Sequence, residues 1–155
     1  TGWPVWILAL AAYIAASTLT RPISNFIMLE LYTREYEYIE GMLADITSAL
    51  SVIVLAFFLF RHSVVCLYYL MLVALTELAL GIASAAGGAE GLSSYFYSLQ
   101  GLNLVPVGII DRIGWDKVSE PISQVIRIGD PVGSFAFCAL LLYFHRKRHA
   151  KAEPL

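Results

Sequence analysis

Charge is scarce in this chain. Lys, Arg, Asp and Glu together make up 14% of 155 residues, against 59% hydrophobic residues and a mean hydropathy of +0.72. A soluble globule of this size could not hide that many apolar side chains, and membrane insertion removes the contradiction. Cysteine is scarce too. Cys66 and Cys138 both sit within apolar runs and far apart, which excludes a secreted disulfide framework and leaves them as packing residues. There is no excess of positive charge: a net charge of −2 and a pI near 5.8 argue against nucleic acid as a partner. Phosphate-cradling Gly-rich loops, H-E-x-x-H, G-x-S-x-G and C-x-x-C are all absent. A membrane enzyme therefore has no constellation to rest on, and no cofactor is implied by any motif. Thr1-Gly2-Trp3-Pro4 lacks a basic n-region and a small-residue cleavage site, so the first apolar run is expected to be a retained helix rather than a signal peptide.

What the sequence does have is long apolar runs. Ile39–Phe60 and Ser63–Ala86, parted only by Arg61 and His62, each approach the roughly 20 residues that cross a bilayer as a helix and together predict a tight hairpin. Trp3–Leu19 predicts an earlier span with Trp3 and Trp6 in an interfacial aromatic belt. Thr20-Arg21-Pro22 is expected to stop or kink it. Over residues 24–38, Glu30, Arg34, Glu37 and the following Gly41 share one helical face, which predicts an amphipathic helix lying in the interface. The competing expectation is that this stretch prolongs the first span.

Gly87, Gly88 and Gly91 break the hairpin's second arm, and residues 87–121 are expected to form a folded external segment of short surface or re-entrant pieces. Its aromatics and aliphatics are too many for a disordered loop. Ser119-Glu120-Pro121 has the pattern of a helix start. The final apolar run, Val132–Phe144, is too short to span, so the last helix must begin near Ile122 and run to about 145, drawing Arg127 and Asp130 into the outer membrane with a kink at Pro131. The expected fold is all-α: one polytopic membrane domain over residues 1–155, with three or four spanning helices.

Within the hairpin, Gly41, Asp45 and Ser48 lie on one face of the first arm, and Glu77, Gly81 and Ser84 on one face of the second. Small residues at this spacing let membrane helices approach closely. Asp45 and Glu77 fall at similar depth in antiparallel arms, with Arg127 and Asp130 near that level. Together they form a candidate intramembrane polar cluster. Close carboxylates in low dielectric cannot both ionise cheaply, which points to proton or cation handling, or else to groups satisfied by neighbouring Thr, Ser or Arg that fix packing. His62 and His145 are conceivable bis-His ligands, without spacing to support it; an interfacial position is the more ordinary role for either.

Tyr36-Glu37-Tyr38-Ile39-Glu40-Gly41-Met42 at the head of the hairpin, with a compact four-helix layout and a basic tail, resembles the phosphate-starvation-inducible E (PsiE) family. The resemblance implies a small inner-membrane protein and carries over no catalytic residue. The tail, His145-Arg146-Lys147-Arg148-His149-Ala150-Lys151, with Arg61 and His62, places both termini in the cytoplasm under the positive-inside rule. The expectation is thus a non-enzymatic, multi-pass cell-membrane protein, held in the lipid bilayer and associated with partner subunits or with copies of itself. The alternative is an oligomeric ion- or proton-conducting channel or transporter using its buried carboxylates.

Overall fold

In a computed structural model, the described residues are 3–32, 39–85, 100–106, 109–110, 117 and 119–152, with side chains left aside at 27–32, 39–41, 84–85, 120, 123–124, 127 and 149–152. Among them the regular structure is helical and contains no strand. Four long helices follow in order: α1 (Val5–Tyr32), α2 (Ile39–Arg61), α3 (Val64–Ala85) and α4 (Glu120–Ala152). Each contains a stretch long and apolar enough to cross a membrane: Val5–Phe26, Met42–Arg61, Val64–Ala83 and Ile128–Arg148. By length and composition these four helices suggest a membrane protein.

The hairpin forms where its apolar runs end. Arg61 closes α2, and His62 turns the chain with φ of 58° while its N–H reaches the Phe58 carbonyl at 2.7 Å. That is the left-handed cap that ends many helices, adopted here by a residue type that tolerates it better than a β-branched one would. Ser63 then holds the N-cap position of α3, its carbonyl accepting from the Cys66 N–H at 3.1 Å.

α1 differs from its expected course. It does not stop at Arg21-Pro22 but continues through Pro22 to Tyr32. Residues 24–32 of the expected interfacial helix therefore belong to α1, and residues 33–38 lie outside the described residues, along with the Tyr36-Glu37-Tyr38 part of the family-like motif. A proline removes one donor from the ladder, a loss that helices buried against neighbours absorb. Likewise α4 begins at Glu120 and runs on through Pro131. The aromatic piece around Tyr95, Phe96 and Tyr97 lies outside the described residues.

α1 packs on α2, α2 on α3, and α3 most extensively on α4. The core gathers Ile7, Ile14, Leu55, Phe58, Leu67 and Leu141, each shut off from solvent. Cys138 is buried among them and Cys66 packs against them, as their apolar setting implies. At the end marked by the α2–α3 turn, the helices are drawn together by aromatic contacts: Trp3 lies 5.6 Å from Phe58, and Phe58 lies 5.8 Å from His145. Trp3 also donates its indole N–H to the Leu59 carbonyl at 3.2 Å, tying the start of the chain to the end of α2.

Phe58 lies against the rings of Trp3 before α1, His145 of α4 and His62 of the turn, so Phe58→Ala should lower stability by about 3 kcal/mol or more, the usual range for emptying a buried aromatic site. Reversible unfolding in mixed micelles measures it. A loss under about 1 kcal/mol would mean these rings do not hold the helix ends together.

Candidate functional site

Residues 100–106 are the least regular part of the described chain and among its most deeply placed. Gly101, Leu102 and Asn103 are buried although none belongs to a helix. Part of the segment expected to form short surface or re-entrant pieces, this stretch lies between the helices. Non-helical backbone exposes N–H and C=O groups that an apolar bundle cannot solvate, so every such group needs a local partner. Side chains from all four helices supply them.

From α1, the Thr18 hydroxyl donates to its own helix at Ile14 (2.6 Å) and accepts the Asn103 N–H at 2.9 Å, using both halves of its hydrogen-bonding capacity. Tyr13, one turn away, donates its hydroxyl to the Leu104 carbonyl at 2.8 Å. From α2, the Thr47 hydroxyl accepts the Gln100 N–H at 3.0 Å, and the Ser51 hydroxyl lies 2.9 Å from the Thr47 carbonyl and 3.3 Å from the Gln100 carbonyl. From α3, Glu77 accepts the Gly101 N–H in a short bond. From α4, one oxygen of Asp130 accepts two successive backbone donors, Leu104 N–H at 2.5 Å and Val105 N–H at 3.2 Å, and Ser134 donates to the Leu102 carbonyl at 2.6 Å.

The side chains of the segment fit the same frame. Leu102 joins the core and Leu104 packs against it. Gly101 has no room for a side chain, since a Cβ there would lie 2.7 Å from a Glu77 oxygen and 2.8 Å from a Val73 methyl. At Gly133 on α4 a Cβ would meet the end of the Leu104 side chain, which would have to shift to make room. The helical partners all fall inside the four candidate spans. By helical rise, most lie about 15–20 Å from the His62 end of the bundle.

Of the four residues expected to cluster, Glu77 and Asp130 meet at this segment, three residues apart along it. Asp45 is engaged elsewhere: it is buried between α1 and α2, where Asn25 donates to it at 2.9 Å and Arg21 lies 3.8 Å away. Its cationic neighbour among the described residues is Arg21; the side chain of Arg127 lies outside them. Of the expected packing positions, Ser48 and Gly81 are buried. Gly41 and Ser84 lie in helical backbone with their side chains outside the described set. His62 and His145 do come together, with stacked rings 6.2 Å apart. Among the described residues, no group of three or more His, Cys, Asp or Glu could hold a metal ion.

Thr18, Tyr13 and Ser134 were not foreseen as partners. The available signal was Ser or Thr inside apolar runs, coupled to a short apolar stretch bracketed by Gly101 and Pro106. Comparison with family models, with curated proteins and with solved structures finds no match to this chain.

Asp130→Ala leaves two buried N–H groups without an acceptor, each worth about 1–3 kcal/mol. It should therefore destabilise the protein by more than about 2 kcal/mol, while Asp130→Asn, which keeps a carbonyl acceptor, should cost under half as much. Denaturation in micelles compares them. Equal losses would assign the role to the negative charge instead of to the acceptor.

Proposed function

We propose that this chain is a non-enzymatic integral protein of the cell membrane, acting through its surfaces as a subunit of a larger membrane complex or as a self-associating scaffold. The observation that supports this most is how the polar groups within the spans are used. Glu77 and Asp130 are spent on backbone N–H groups of residues 101–105, and Asp45 on Arg21 and Asn25. A carboxylate that carries protons or cations must exchange partners during each cycle. Here exchange at Glu77 or Asp130 would strand a buried N–H, so these groups serve the fold.

What the bundle offers outward is apolar. Ile53, Leu72 and Val125 are each more than 60% exposed on α2, α3 and α4, suited to lipid or to the helices of another subunit. Arg61 and the basic end of α4 favour an orientation with both chain ends in the cytoplasm.

Reconstitution separates this reading from a conducting oligomer. Sealed vesicles holding the full chain should show no proton or cation flux above protein-free vesicles, and cross-linking in the native membrane should yield an assembly of fixed size. A flux that Glu77→Gln and Asp130→Asn abolish, with the helical content intact, would overturn the proposal in favour of a channel or transporter.

A further inference from the structure

The two ends of the bundle differ in charge. Residues 1–29, 46–76 and 131–152 contain no Asp or Glu, and the carboxylates with described side chains, Asp45, Glu77 and Asp130, lie away from the α2–α3 turn. The opposite end, around the α2–α3 turn and the last turns of α4, carries Arg61, His62, His145, Arg146, Lys147 and Arg148. The described helices of that end carry no Asp or Glu beside Arg61, Arg146, Lys147 and Arg148.

Arg148 is the group that gives this end a specific shape. Its guanidinium carbon lies 5.0 Å from the centre of the Trp3 ring, a cation–π contact that pre-positions the side chain. The side chain is half-buried, and its Nη1 is covered without a hydrogen-bond acceptor. The rest of the half-exposed guanidinium is free to meet an anion from outside, and its planar fork matches phosphate oxygens. Beneath it Trp3, His62 and His145 form a stacked series, with centroids 5.6 and 6.2 Å apart. The His62 imidazole N–H is a further donor to an anion.

The surroundings decide which anion. Val5, Trp6, Phe60, Val65 and Tyr143, on the same turns, are large apolar side chains more than half exposed. Free phosphate gains nothing from such a skirt, whereas a phospholipid places its headgroup on the cations and its chains on the apolar side chains below. The ends of the candidate spans are also where headgroups lie. We propose that the Trp3–His62–Arg148 end of the bundle is a binding site for the phosphate headgroup of an anionic phospholipid, with Arg148 as its principal donor.

The test is native mass spectrometry of the full chain released from nanodiscs of phosphatidylcholine containing a minor share of phosphatidylglycerol. The wild type should retain phosphatidylglycerol preferentially. Arg148→Gln should weaken that retention by about tenfold, the scale of one charge-assisted bidentate contact. Lys147→Gln, an equal change of charge at an exposed neighbour, should change it less than twofold. Equal losses in the two variants would reduce the effect to diffuse attraction and overturn the site. Arg148→Lys keeps the charge without the fork and should fall between wild type and Arg148→Gln; retention equal to wild type would overturn the role of the fork even if Arg148→Gln fails to fold. Displacement of the lipid by millimolar inorganic phosphate would also contradict the proposal, since the site would then read phosphate alone.

Discussion

A stretch of backbone without a helix of its own, sunk among apolar helices, must find hydrogen-bond partners in side chains, and that constraint organises this protein. Residues 100–105 meet it with Thr18 and Tyr13 of α1, Thr47 and Ser51 of α2, Glu77 of α3, and Asp130 and Ser134 of α4. An N–H left unpaired there would cost about 1–3 kcal/mol. The polar residues inside the spans are consequently fixed in position by the segment, and the segment in turn joins elements far apart in sequence. Gly101 remains small because Glu77 and Val73 come too close for anything larger.

The other end of the molecule is held by different means. Rings replace hydrogen bonds: Trp3, Phe58, His62 and His145 close the helices over one another, and Arg148 lies above Trp3. The result is a bundle whose polar interior toward one end holds residues 100–105 by hydrogen bonds, with an aromatic, positively charged cap at the other. The first arrangement draws carboxylates into structure; the second leaves cations facing outward, where an anionic surface can meet them.

Much of the helical layout can be read from the sequence, because run length and the absence of charge set it directly. Ile39–Phe60 and Ser63–Ala86 anticipate α2 and α3 to within a residue or so at each end. Of the stop or kink expected at Pro22, the stop does not occur, because neighbours can support a helix through the lost donor. The partners of Asp45 and Glu77 could not be read from helical rise. Asp45 takes Arg21 and Asn25 from α1, and Thr18 meets Asn103 across 85 positions of sequence. Such pairings depend on which way the chain re-enters, and no periodicity records that. Glu77 and Asp130 were expected near each other, but not that a backbone segment would lie between them.

Amide hydrogen exchange of the full chain in nanodiscs tests the central claim most directly. If side chains of the four helices hold the segment, the amides of Gly101, Asn103, Leu104 and Val105 exchange as slowly as those in the middle of α3. Exchange of these amides within seconds, alongside protected helices, would contradict the account, because the segment would then be an ordinary loop in water.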